Sequence, residues 1–142
     1  MIRTIHGTGK NLRTFLYVED VAKAFDLILH KGKVDELYNI AGKSEVTVHQ
    51  VAEKIWELLK KEGDVEEHIE YVRDRLFNDY RYAINSHKLE AMGWKPTTTF
   101  EVGLKETLDW YLTHRDQWDN IEVALEAHPS SFSSVSAALL NN

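Results

Sequence analysis

Residues 71–82 read Tyr-Val-Arg-Asp-Arg-Leu-Phe-Asn-Asp-Tyr-Arg-Tyr, a short apolar run that breaks into arginines, acids and an amide. A guanidinium offers a planar fork of donors that fits a pair of phosphate oxygens and stays charged at any physiological pH. Arg75 is therefore the first candidate for holding an anionic ligand. The competing reading is ordinary: Arg73, Arg75 and Arg81 pair with Asp74, Asp79 and nearby glutamates as surface ion pairs, and composition alone favours it. Asn39 is a second candidate, set inside the apolar stretch 36–42, Glu-Leu-Tyr-Asn-Ile-Ala-Gly. An asparagine in mid-strand is disfavoured unless its amide has a partner, either neighbouring backbone or a ligand.

The elements that would position these residues follow from periodicity and caps. A strand from Ile69 ends near Arg73, which puts the arginine cluster where a strand hands over to a loop, the usual place for ligand groups in α/β proteins. Upstream, Gly7 and Gly9 mark a turn after a short apolar start. It is not a dinucleotide fingerprint, because G-x-G-x-x-G would need glycine where Leu12 stands. Residues 15–18 form a β-prone segment. Glu19 and Asp20 then open a helix carrying Val21, Ala24, Phe25 and Ile28, ended by Gly32. The stretch 36–42 reads as a buried strand, followed by a helix capped by Thr47 and carrying Val51, Ile55, Leu58 and Leu59. Asn85 or Ser86 caps a short helix through Leu89 and Met92, closed by Gly93. Thr98 or Thr99 starts a last strong helix whose stripe of Val102, Leu104, Leu108, Tyr111 and Leu112 reads as core. A further short helix is expected over 116–126, and the serine-rich residues 129–142 are expected to be mobile.

Size and composition set the limits. The 142 residues, 43% hydrophobic and 28% charged, suffice for one core, which makes this one domain or a piece of one. A net charge of −6 without a basic cluster argues against nucleic acid as a partner. No stretch approaches the apolar length of a membrane span and the N-terminus has no signal-like apolar region, so a soluble cytoplasmic protein is the expectation. There is no cysteine, and the seven histidines lack metal-pair spacing, so no metal is expected.

Five segments, in order, resemble nucleotide-sugar 4,6-dehydratases of the extended short-chain dehydrogenase/reductase superfamily. They are residues 5–22 (Ile-His-Gly-Thr-Gly-Lys-Asn-Leu-Arg-Thr-Phe-Leu-Tyr-Val-Glu-Asp-Val-Ala), 37–40 (Leu-Tyr-Asn-Ile), 75–82, 88–94 (Lys-Leu-Glu-Ala-Met-Gly-Trp) and 103–111 (Gly-Leu-Lys-Glu-Thr-Leu-Asp-Trp-Tyr). The Phe-Asn-Asp-x-Arg-Tyr form and residues 124–129 look most like the eukaryotic branch, in particular the UDP-glucose 4,6-dehydratase domain of plant-type rhamnose synthases. The resemblance implies an α/β fold, the C-terminal portion of a Rossmann-type enzyme without its N-terminal dinucleotide-binding half, with residues 1–128 as the sugar-nucleotide-binding part. It implies that Arg13 and Arg75 hold the diphosphate of UDP-glucose, preferred here over dTDP-glucose. It further implies that Asn78 approaches the nucleoside, with Asn39 as a weaker candidate for that pocket, and that Asp79 orients Arg75 or Arg81. One departure stands in the motif itself, since the family's proline after the arginine is Leu76, which gives the loop more backbone freedom.

The family's reaction also needs a glycine-rich strand-turn-helix for NAD and a Tyr-x-x-x-Lys pair. No tyrosine from Tyr17 to Tyr111 is followed four residues on by lysine. The expected function is thus that of a substrate-binding portion of a lyase, inactive alone and not expected to bind NAD by itself. The alternatives are a noncatalytic nucleotide-sugar-binding or oligomerisation fragment, or part of a sugar-nucleotide 4-epimerase. A strand around Leu37 that has lost its sheet would leave an apolar edge, and self-association or association with a full-length relative is the expected consequence.

Overall fold

Short strands and amphipathic helices alternate along the chain, and the long-range pairings bring its two halves together. The structure, a computed structural model, describes residues 3–117. Strand β1 (Arg3–His6) runs parallel to β4 (Ile69–Val72), with Ile5 opposite Tyr71 and His6 opposite Val72. Strand β2 (Leu12–Thr14) pairs antiparallel with β3 (Glu45–Thr47). The helices are α1 (Val18–Lys31), α2 (Val48–Leu58), α3 (His87–Ala91) and α4 (Phe100–Thr113), with a 3₁₀ turn at Val65–His68 ahead of β4.

Helix boundaries follow the caps. Thr47 and Gln50 form a reciprocal capping box at the start of α2, Thr99 accepts the Val102 N–H at the start of α4, and the Gly32 N–H closes α1 on the Ile28 carbonyl. Ala24 of α1, Leu89 of α3 and Trp94 form the buried centre, with Leu16, Leu27, Ile28, Tyr38, Ile40 and Met92 packed around it. Withdrawing a side chain such as Leu89 from water contributes about 1.5–3 kcal/mol. Gly103 of α4 is buried because its face lies on Tyr17, where an added Cβ would stand 3.1 Å from the tyrosine Cβ.

A buried charge ties α1 to the Trp94–Thr99 turn. The Asp20 carboxylate, 0% exposed, accepts from Thr97 N at 3.0 Å, Thr97 Oγ1 at 2.8 Å and Thr98 N at 2.8 Å, and pairs with Lys23 at 3.2 Å. The Trp94 indole N–H donates to the Asp20 carbonyl oxygen at 2.9 Å. Burial pushes the carboxyl pKa up, but the bonds from Thr98, Thr97 and Lys23 outweigh it and hold the group far below the ordinary carboxylate range.

Three expectations need correction. Residues 36–42 keep a strand's alternation, with Tyr38 and Ile40 turned towards the core and Leu37 and Asn39 exposed, yet no strand forms there. A strand exists only through a partner, and among the described residues none lies beside this segment; instead Lys88 of α3 holds it, donating to the Leu37 carbonyl oxygen at 3.0 Å. Of the β-prone residues 15–18, Val18 already belongs to α1, and Phe15 packs on Phe100 of α4, ring centres 5.6 Å apart. The stripe of α4 is not all core: Val102, Tyr111 and Leu112 are each almost half exposed. The expected helix over 116–126 lies almost wholly outside the described residues, and the serine-rich 129–142 entirely so.

Candidate functional site

The glycine turn and the β4–α3 loop are laced together before either arginine is considered. Gly7 donates to the Val72 carbonyl oxygen at 2.9 Å, and Leu12 of β2 donates to the Tyr80 carbonyl oxygen at 2.8 Å. Asn11, 8% exposed, donates from its side chain to the Asp79 carbonyl oxygen at 3.3 Å. These bonds pin the loop that follows β4 against the strand carrying Arg13.

On that frame the guanidinium of Arg13 donates to the carbonyl oxygens of Leu12 at 2.7 Å, Asp79 at 2.9 Å and Tyr80 at 3.4 Å, and lies 4.6 Å from the ring centre of Tyr82. Its Nη2 also donates to Asn78 Oδ1 at 3.1 Å, and Nη2 of Arg75 donates to that same oxygen, again at 3.1 Å. Two guanidinium groups from positions far apart in sequence thus meet on one acceptor. Their Nη2 atoms can be no further apart than twice that distance, a separation that one phosphate group or two linked ones can span. The acceptor is neutral, so neither positive charge is cancelled there, and a multiply charged anion would be favoured in its place.

The other residues expected at the site find different partners. Arg81 pairs with Glu45 of β3 through two bonds of 2.7 Å, and this guanidinium holds the Glu45 carboxyl below its ordinary range. Asp79 does not orient Arg75 or Arg81 with its carboxylate. Its main-chain carbonyl serves Arg13, while its carboxylate beside Tyr82 pushes that hydroxyl's pKa up. Asn39 is exposed on the 36–42 segment and takes no part in the arginine network. Arg73 is exposed as well.

Two residues were not singled out by sequence reasoning. Asn11 reads as an ordinary turn residue, and nothing local announces its partner 68 positions away. Asp74 reads as an ion-pair partner, but its Oδ1 accepts from the Arg75 main-chain N–H at 2.8 Å and from the Asn78 amide Nδ2 at 2.9 Å. An aspartate two residues after a strand's end, with an amide four residues on, was the available signal.

The glycine turn does not fit a dinucleotide. A cofactor pyrophosphate needs the N-terminus of a helix after the turn, and here the turn runs into β2. No helix among the described residues is long and apolar enough to cross a membrane.

Comparison with known proteins agrees with this α/β framework. The family description "GDP-mannose 4,6 dehydratase" matches residues 2–107, and the chain belongs to that family of nucleotide-sugar dehydratases. Among curated proteins it is 46% identical over 125 residues to the trifunctional UDP-glucose 4,6-dehydratase/UDP-4-keto-6-deoxy-D-glucose 3,5-epimerase/UDP-4-keto-L-rhamnose-reductase RHM1 of Arabidopsis thaliana, with 88% of this chain and 18% of that protein covered. It is 41% identical over 128 residues to the human dTDP-D-glucose 4,6-dehydratase, covering 88% of this chain and 37% of the other. In three dimensions it is similar to the dTDP-glucose 4,6-dehydratase DesIV of Streptomyces venezuelae, crystallised with NAD and TYD bound, at a TM-score of 0.76 and 28% identity, covering 83% of this chain and 36% of that one. The chain therefore spans well under half the length of these relatives.

Proposed function

We propose that this chain is the substrate-binding portion of a nucleotide-sugar 4,6-dehydratase, in which Arg13 and Arg75 hold the diphosphate of a UDP- or dTDP-sugar. The observation that carries the proposal is the meeting of both guanidinium groups on Asn78 Oδ1, each at 3.1 Å. The ligand takes over that acceptor position, Asn78 is left at the nucleoside side of the diphosphate, and an amide there bonds a sugar hydroxyl or base edge. UDP-glucose is the preferred substrate over dTDP-glucose, supported by the somewhat higher identity to the Arabidopsis protein than to the human one.

Conversion to a 4-keto-6-deoxy sugar draws on NAD in a complete enzyme, which supplies a hydride acceptor and donor. The role proposed for the residues described here is to bind and orient the nucleotide, and their glycine turn, running into β2, offers no helix N-terminus to a cofactor pyrophosphate. Calorimetric titration of UDP, UDP-glucose and dTDP into the chain tests this reading. UDP and UDP-glucose are expected to bind, with dTDP weaker. Arg13→Ala and Arg75→Ala should each lower affinity by about 10- to 100-fold, the loss of a charge-assisted contact of roughly 1.5–3 kcal/mol. Absence of heat at millimolar ligand would refute the proposal and leave a noncatalytic assembly role.

A further inference from the structure

We infer that Asp74 is a positioning residue of the two-arginine site: its carboxylate fixes which end of the Asn78 amide faces the guanidinium groups. The inference rests on the diphosphate reading for its consequence in binding, but its geometry stands in the ligand-free protein. An asparagine side chain presents an acceptor at one end and donors at the other, and the two ends are nearly equal in shape. Asn78 lies between an acceptor-only group and two donor-only groups. Nδ2 donates to Asp74 Oδ1 at 2.9 Å, which leaves Oδ1 facing Nη2 of Arg13 and Nη2 of Arg75. A flipped amide would set its own N–H groups against both arginines and its oxygen against a carboxylate. Asp74 therefore sets the polarity of the amide, and through it the point at which the arginines meet.

Asp74 is itself held on both sides. The same Oδ1 accepts the Arg75 main-chain N–H at 2.8 Å, so a single oxygen governs both the backbone that carries one arginine and the amide that gathers the pair. Its Oδ2 lies against the glycine turn, where a Cβ built on Gly7 would stand 2.6 Å away, and Gly7 has φ +70°, a conformation in which a side chain is strained. Gly7 is thus the floor on which the carboxylate rests, and it links the first turn of the chain to the arginine loop.

The test uses the full chain and two readouts. In the ligand-free protein, the side-chain ¹H–¹⁵N signals of Asn78 should show one shifted, slowly exchanging proton. That signature should vanish in Asp74→Ala and persist in Asp74→Asn, whose carbonyl oxygen accepts the same two bonds. By calorimetry, UDP affinity should fall about 10-fold in Asp74→Ala and stay within about threefold in Asp74→Asn, with thermal midpoints checked in parallel. If the wild-type chain binds no UDP, the diphosphate reading fails while the amide signals still decide the role of Asp74. Unchanged Asn78 signals in Asp74→Ala overturn the inference. So does a loss in Asp74→Asn as complete as in Asp74→Ala. Should the alanine variant not fold, Gly7→Ala, which displaces the carboxylate without removing it, is expected to abolish the same Asn78 signature, and its retention there overturns the inference equally.

Discussion

Replacing Asp20 by asparagine isolates the charge that joins α1 to the turn before α4. The substitution keeps shape but leaves one acceptor oxygen where there were two. Placed like Oδ2, that oxygen retains the bonds from Thr97 N (3.0 Å) and Thr98 N (2.8 Å), now neutral rather than charge-assisted; the new amide NH₂ then faces Lys23 Nζ and the Thr97 hydroxyl. A bond to a charged acceptor is worth about 1.5–3 kcal/mol and its neutral counterpart about 0.5–1.5. Two weakened bonds and the lost Lys23 pair, itself largely exposed on the lysine side, come to roughly 2–3 kcal/mol. With a urea m-value of about 1–3 kcal/mol/M, the unfolding midpoint should fall by about 0.7–3 M. The sign with pH follows from the depressed folded-state pKa. Below the ordinary value of 3.8 the unfolded chain takes up a proton that the folded one refuses, so the contribution is complete above about pH 5 and drains away as pH falls towards 2. The wild-type advantage over Asp20→Asn should shrink over that interval. A midpoint shift below about 0.3 M at neutral pH, or an advantage that is the same at pH 7 and pH 3, would refute the reasoning.

Arg81→Ala removes an exposed pair with Glu45, so stability should change by no more than about 1 kcal/mol, while an NMR titration should show the Glu45 pKa rising back into the ordinary range. Leu76→Pro puts the family's residue back after Arg75; Leu76 is 58% exposed and is not among the residues with positive φ, so the change should raise the thermal midpoint by the equivalent of about 0.4–1 kcal/mol and tighten UDP binding. A lower midpoint in that variant would mean that the loop relies on a backbone shape proline cannot take.

Much of this molecule was legible in its sequence wherever the cause is local. Thr47, Thr99 and Gly32 bound their helices because a cap acts within one turn of itself, and β4 starts at Ile69 and ends one residue short of Arg73, as the two-residue period required. Residues 36–42 show the limit: their alternation survives, but strand character belongs to a pair, and the second member is not among the described residues. Asp20 was readable only as an acid suited to a helix start, because its partners stand 77 and 78 positions on. The arginine loop divides the same way. That Arg13, Arg75 and Asn78 are candidates for one site was readable from residue type and resemblance, whereas their meeting on one oxygen, the support from Asn11 and the anchoring by Asp74 depend on approach between distant turns.

The parallel pairing of β1 with β4 sets Arg3 beside Ile69, so the two-arginine network joins segments separated by more than sixty residues of chain. Closing a loop of that length costs entropy before any of its contacts can compensate. The arginines therefore cannot come together on local structure alone, and a helix that forms early, such as the one opened by Thr47, tells nothing about whether that network exists. The network on Asn78 thus depends on long-range pairing and not on any single element. A nucleotide that binds it would act as a latch on the finished topology, slowing the separation of the two ends rather than hastening their first encounter.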